Sequence, residues 1–153
     1  MNKEVYSDAE MRTTGRLIGS ALRGGELFEL VGDVGAGKTT LTKGIAEGLA
    51  IDEDIQSPTF TISRVYPARD GLELVHYDFY RLPEAGLMRM ELAETAATAQ
   101  TIVVVEWADV VADVLPEKRI RISIEPGERE DDRMLSIVVP PNEYAYIVEA
   151  LEA

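Results

Sequence analysis

The sequence predicts an α/β fold in three layers, a mixed central sheet flanked by helices, and three stretches carry that prediction. Leu27, Phe28, Leu30 and Val31 form a short apolar run that passes through Gly32-Asp33-Val34-Gly35-Ala36-Gly37-Lys38-Thr39 into residues with helical spacing. Ile102-Val103-Val104-Val105 is a second apolar run, the pattern of a strand covered on both faces. Ile120, Ile122 and Ile124 alternate with Arg119, Arg121 and Ser123, and Met134 to Val139 returns as a partner, so antiparallel pairing joins the parallel kind. At 153 residues and 46% hydrophobic content, the chain is expected to make one domain spanning 1–153.

Charge and composition narrow the function. A net charge of −13 opposes unaided, tight binding to nucleic acid, which needs clustered cations to displace counterions from phosphates. The same charge suits either plain acidic solubility or a basic partner. Absence of cysteine removes disulfides, thiol nucleophiles and thiolate metal sites. No run approaches the twenty or so apolar residues of a membrane span, and Met1-Asn2-Lys3-Glu4 lacks a signal-peptide core, so a cytoplasmic protein is expected.

In chain order, Ser7-Asp8-Ala9-Glu10 has capping-box spacing and opens a helix whose buried side is Met11, Ile18 and Leu22, with Leu17 and Ala21, ending at Gly24-Gly25. Ser7 and Asp8 read first as caps, although such a helix end can also border a nucleotide base. The glycine-rich stretch has two glycines separated by four residues, then Lys and Thr, which is the phosphate-loop pattern. The glycines let consecutive backbone N–H groups turn inward around an anion, and the following helix adds its positive dipole end. Lys38 reaches for β- and γ-phosphates. The Thr39 hydroxyl suits Mg²⁺, a hard cation that takes one or two protein oxygens beside phosphate oxygens, and Thr40 has the weaker claim. Leu41, Ile45 and Leu49 mark the buried stripe of that helix. Gly44 and Gly48 within it imply a close approach, expected toward the sheet.

Beyond Asp52-Glu53-Asp54, Ser57-Pro58-Thr59-Phe60-Thr61 reads as a loop entering a strand, with Thr59 the expected sensor of a γ-phosphate or else an ordinary strand hydroxyl. Residues 59 to 66, the Asp70-Gly71 turn and Leu72 to Tyr77 make an antiparallel hairpin. It delivers His76-Tyr77-Asp78-Phe79-Tyr80-Arg81, where Asp78 can orient an attacking water or hold a metal-bound one and Arg81 can stabilise charge. His76 reads first as a hydrogen-bonded strand residue, and Tyr77, Phe79 and Tyr80 as packing. Residues 84 to 100 suggest one broken helix or two short ones. Glu106, closing the second apolar strand, has the position of a Walker B acid on the Mg²⁺ side, and Asp78 competes from a less apolar strand. Trp107 reads as a core residue whose place beside Glu106 makes its emission a reporter of nucleotide. Arg129, in the turn after Pro126-Gly127, is either solvated or a nucleotide contact. Asn142 caps a last helix carrying Ile147, Val148 and Leu151.

Four motifs together resemble the bacterial TsaE (YjeE) family, the ATPase component of tRNA threonylcarbamoyladenosine synthesis: Gly32 to Thr40, Ser57-Pro58-Thr59-Phe60, His76 to Leu82, and Val105-Glu106-Trp107. The first is generic to phosphate-loop proteins, and the other three are specific. The resemblance covers most of the chain. It implies a P-loop NTPase-like fold, ATP held by Val34 to Thr39, Mg²⁺ held by Thr39 and Glu106, and a hydrolytic role for Asp78. It also implies nucleotide contacts near Asp8 and near Gly127 to Arg129, and partners resembling TsaD and TsaB, through which tRNA is met. Ala108-Asp109 departs from the Pro-Glu common in the family. A small kinase and a non-hydrolysing ATP-dependent binding module are the alternatives. A GTPase is disfavoured, since no Asn-Lys-x-Asp guanine reader follows the phosphate loop.

Overall fold

The computed structural model describes residues 1–56, 63–80, 86, 88–140 and 142–153. Within them lie strands β1 (Asn2–Val5), β2 (Leu27–Val31), β3 (Ser63–Pro67), β4 (Glu73–Asp78), β5 (Thr101–Glu106), β6 (Ile120–Pro126) and β7 (Arg133–Val138). The helices are α1 (Asp8–Ala21), α2 (Lys38–Gly48), α3 (Met88–Ala96) and α4 (Ala145–Glu152), with a 3₁₀ segment over Ala108–Val114. The strands form one sheet in the order β1-β7-β6-β2-β5-β4-β3. β6, β2, β5 and β4 run parallel, and the antiparallel pairs β1/β7, β7/β6 and β3/β4 close the two sides.

Side chains alternate across a strand, so the apolar runs of β2 and β5 feed two cores at once. Phe28, Leu30, Leu74, Val104 and Ile122 face one way and pack with Met11, Ile18, Leu41, Ile45 and Ile147 from α1, α2 and α4. Leu27, Val75, Tyr77, Val103 and Val105 face the other way, against Leu92 of α3 and Val111 of the 3₁₀ segment. The predicted three layers and mixed sheet are therefore present. Among the described residues no helix is long and apolar enough to cross a membrane.

The first helix begins where its capping box places it, with a one-residue offset. Ser7 Oγ accepts from the Glu10 N–H at 3.1 Å, while the Glu10 carboxylate accepts from the Tyr6 N–H at 2.7 Å rather than from Ser7. Leu17, expected on the buried side, is 39% exposed. Glycines explain this, because α1 turns Gly15 and Gly19 toward Gly44 and Gly48 of α2 and the two backbones nearly touch. A Cβ on Gly44 would lie 2.2 Å from the Arg12 carbonyl oxygen, and one on Gly15 would lie 2.5 Å from that of Leu41. The close approach implied by Gly44 and Gly48 is thus to α1 and not to the sheet. Arg12 and Arg16 reach over the seam to Glu47 at 2.5 and 3.3 Å.

Other boundaries differ from expectation for local reasons. β1 has a mostly exposed, four-residue sequence with no strand pattern, and it exists because β7 offers it an edge to pair with. The hairpin forms with β3 at Ser63–Pro67, and residues 59 to 62 of the expected strand lie outside the described residues. In the 84 to 100 stretch, the described helix is Met88–Ala96. Asn142 does not cap α4. Tyr144, at φ 58°, turns the chain instead, and the Tyr146 hydroxyl donates to Glu26 Oε2 at 2.5 Å. Glu26 is fully buried and also accepts from the Arg23 and Gly24 N–H groups, each at 2.8 Å, so it ties α4 to the turn that feeds β2.

Helix propensity alone favours alanine over glycine by about 1 kcal/mol. The seam reverses that sign. Gly44→Ala is expected to destabilise the protein by about 1–3 kcal/mol, the cost of overpacking. Thermal denaturation should show a lower melting temperature, and a rise would refute the tight α1–α2 contact.

Candidate functional site

Between β2 and α2 the chain folds back through residues 32 to 37. The Ala36 N–H closes this turn onto the Asp33 carbonyl at 3.0 Å. Gly35 and Gly37 have φ of 83° and 113°, left-handed conformations that a side chain disfavours. At Gly37 space also matters, since a Cβ would meet Met11 Cε at 3.0 Å. Val34 stands at the exposed tip and Ala36 is buried beneath it. α2 then opens on Lys38, Thr39 and Thr40, whose N–H groups belong to the first turn of a helix and have no acceptor within it. Thr39 and Thr40 are half-buried.

Lys38 is 6% exposed. Its ammonium donates to the Gly32 carbonyl at 2.7 Å, stands 3.9 Å from Glu106 Oε1 and lies 4.0 Å from the centre of the Trp107 ring. Burial pulls its pKa below the usual lysine value, and the charges of Glu106, Asp78 and Asp33 oppose that pull.

Glu106 comes to this point because β5 is hydrogen-bonded to β2 on one side and to β4 on the other. Across these pairings Glu106 is level with Leu30 in β2 and Asp78 in β4. The two competing acids are therefore neighbours on one face, 3% and 5% exposed. β4 is one place nearer the sheet edge than β5, yet it is paired on both sides and buried from Leu74 to Asp78. His76 and Asp78 are buried, the first against Glu106 and the second within the field of Lys38. Asp78 Oδ1 accepts from the Tyr80 N–H at 2.9 Å, and Glu106 Oε2 lies 2.5 Å from His76 Nε2.

Trp107 turns the chain at φ 56°. It is only partly buried, and its ring sits between the Lys38 ammonium and Tyr80, whose ring centre is 4.9 Å away. It is a site residue more than a core one. Tyr80 joins it, while Tyr77 and Phe79 pack on the α3 face as expected. Thr59 and Arg81 lie outside the described residues.

Over the loop opens a cavity of about 660 Å³, bordered by Val34, Gly35, Ala36, Arg121 and Arg133. It shares Pro126, Glu130 and Arg133 with a second cavity of about 940 Å³ that contains Tyr6 and Arg129. Arg129 thus sits one cavity away from the loop. Asp8 is exposed in the first turn of α1, two residues beyond Tyr6, and does not line that cavity. Sequence reasoning missed Arg133, which donates from Nε to the Ala36 carbonyl at 3.1 Å and from Nη1 to Glu130 and Asp132 carbonyls at 2.6 and 2.8 Å. It braces the loop against the β6–β7 turn. An arginine at a strand start carries no sequence signal for such a role. The His76–Glu106 contact was missed as well.

These features fit a nucleotide with its magnesium ion. The left-handed glycines leave a cradle lined by backbone, and the cavities beside it reach the volumes of small-molecule sites, while the buried ammonium borders a smaller adjoining pocket of about 180 Å³ with Gly32, Asp33 and Trp107. Thr39, Asp78 and Glu106 offer oxygen donors alone. Among the described residues no group of three or more acidic, histidine or cysteine side chains is placed to hold a metal ion.

Comparison with known proteins identifies the family. The family model described as "Threonylcarbamoyl adenosine biosynthesis protein TsaE" matches residues 5–135. The tRNA threonylcarbamoyladenosine biosynthesis protein TsaE of Streptomyces coelicolor is 45% identical over 117 residues, 75% of this chain and 78% of that protein. Its Bacillus subtilis counterpart is 37% identical over 143 residues, 93% and 87% of the two chains. A crystal structure of Bacillus subtilis YdiB superposes with a TM-score of 0.80 at 33% identity, covering 99% of this chain and 93% of that one.

The lowered pKa of Lys38 gives a stability test. Its folded value lies below the ordinary 10.5, so around and below neutral pH the charged form is carried into the fold at a cost, and stability rises with pH in the window ending at 10.5. The parent is therefore expected to gain stability as pH rises toward 10.5 in thermal scans, and Lys38→Met, which lacks the titrating group, is expected to lose that part of the rise.

Proposed function

The chain belongs to the TsaE family of tRNA threonylcarbamoyladenosine biosynthesis, and from that premise we propose that it is a Mg²⁺-dependent ATPase serving this modification. The observation that carries the reading is the convergence of Lys38, Glu106 and Asp78 beside the left-handed glycine loop. In this reading the N–H groups of Val34 to Thr39 and the Lys38 ammonium hold the phosphates. Thr39 and Glu106 hold Mg²⁺, which when bound neutralises phosphate charge and polarises the transferred group.

Asp78 has the role of orienting the attacking water and accepting its proton. Its Oδ1 is anchored by the Tyr80 N–H at 2.9 Å, which fixes the carboxylate at the strand end. Trp107 shields the lysine from solvent and adds cation–π attraction, worth about 0.5–2 kcal/mol in general. The nucleoside end extends toward the cavity shared by Tyr6 and Arg129, on the side of α1 where Asp8 lies. Thr59 senses the γ-phosphate, and Thr40 is the weaker hydroxyl candidate beside Thr39. Partners resembling TsaD and TsaB, a cytoplasmic setting and contact with tRNA through those partners complete the proposal. The acidic surface supports it, because a charge of −13 disfavours direct tRNA binding.

Removing the Lys38 ammonium takes away charge-assisted bonds worth about 1.5–3 kcal/mol each. Lys38→Ala is expected to weaken ATP binding by at least tenfold, about the equivalent of the lower figure. Calorimetry is the proper readout, since losing the ammonium alters Trp107 emission by itself. Unchanged affinity would refute the phosphate role. Glu106→Gln is expected to reduce Mg²⁺-dependent phosphate release far more than it lowers the melting temperature, and parallel loss of both would make it a structural acid. Phosphate release by the parent, with and without the partner proteins, separates an ATPase from a kinase, which would leave the phosphate on a metabolite, and from a binding module, which would release none.

A further inference from the structure

We propose that His76 is a positioning residue for Glu106, holding one carboxylate oxygen so that the other is presented to the phosphate loop. The proposal rests on the reading of Glu106 as the Mg²⁺-side acid. His76 is 0% exposed in the interior of β4. The pairing sets it level with Val104 in β5 and Arg64 in β3, so Glu106 is its diagonal neighbour two residues further along β5. The imidazole leans forward along the strand and Nε2 meets Glu106 Oε2 at 2.5 Å.

Packing does not account for the residue. The surrounding face is Leu30, Leu74 and Val104, which a leucine would join without leaving a polar ring to desolvate. Nδ1 has no hydrogen-bond partner among the described residues, so the polar return on burying this ring is the bond to Glu106. The terminal torsion of a glutamate is broad and roughly two-fold, and an unheld carboxylate would swing between equivalent settings. With Oε2 engaged by the Nε2–H, Oε1 is the oxygen on the lysine side, 3.9 Å from Lys38 Nζ. Ligand geometry is thereby fixed before any ion arrives, the task that outer partners perform at metal sites generally.

The test compares ATP affinity, by calorimetry, in excess Mg²⁺ and in EDTA for the full chain and its variants. His76→Leu removes the donor and keeps apolar volume, while His76→Gln carries an amide N–H that reaches where Nε2 stands. For His76→Leu the Mg²⁺-dependent gain in affinity should fall about 10–100-fold, the usual effect of losing an outer partner, with affinity in EDTA and the melting temperature held. His76→Gln should recover most of the gain. An unchanged gain in His76→Leu, or an equal loss in Mg²⁺ and in EDTA, would overturn the proposal. If His76→Leu does not fold, His76→Gln against His76→Asn decides, because the shorter amide cannot reach Glu106 and equal behaviour of the two would refute positioning. Glu106→Gln is the control: retention of its Mg²⁺ gain would sink the reading of Glu106 and this proposal with it, whereas loss there with none in His76→Leu overturns the proposal alone.

Discussion

A buried ammonium has to be compensated where it stands, and most of the site can be understood as the surroundings that Lys38 requires. Its carbonyl acceptor is Gly32, its aromatic cover is Trp107, and its counter-charges are Glu106, Asp78 and Asp33. These come from the end of β2, from β5 with the turn after it, and from β4. No one of the three elements could hold a lysine at 6% exposure by itself. Burial still wins over attraction, as the downward direction of the pKa records. A cation left under-compensated in this way is disposed to accept further negative charge, which is what a phosphate-binding lysine needs.

Position follows from sheet order. With β5 between β2 and β4, the strand carrying the glycine loop and the two strands carrying acids are adjacent, and their carboxyl ends open on one edge. The glycine seam with α1 does the complementary job on the other side. Gly15, Gly19, Gly44 and Gly48 bring α2 within backbone contact of α1, so the helix that begins at Lys38 has little room to shift. Arg133 secures the remaining side of the loop through the Ala36 carbonyl. Stiffness matters because an anion cradle built from N–H groups works only if those groups already point inward when the ligand arrives.

What was legible from sequence was what is local. The glycine loop, its flanking strand and helix, the Ser7 cap of α1 and the strand ending at Glu106 each depend on neighbours a few residues apart, and each is present. What was not legible depends on which strand lies beside which. His76 meets Glu106 diagonally across a parallel pairing thirty positions apart, and Arg133 meets Ala36 from the far hairpin. Periodicity ranked β4 below β5 because His76 and Asp78 broke the apolar pattern. That break marked the site. Gly44 and Gly48 signalled a close approach without saying to what, because the partner glycines of α1 sat in a helix whose apolar stripe looked sufficient. β1 carried no signal of its own, since it is made a strand by β7.

Charge offers the last step. At −13, the chain's long-range field repels anions, the ligand class that the proposed function assigns to its loop. Near physiological salt that field is screened within about 8 Å, whereas the N–H groups of a helix end and a buried ammonium act at contact. A small, metal-neutralised polyphosphate can therefore enter a site that a large polyanion cannot approach. Under the proposed function, this separation lets one acidic protein take a nucleotide from solution while leaving the grip on tRNA to its partners. It also sets a limit on those partners, whose contacting surfaces must tolerate or complement the carboxylates around the β6–β7 turn, Glu128, Glu130, Asp131 and Asp132, wherever they come near the nucleotide cleft.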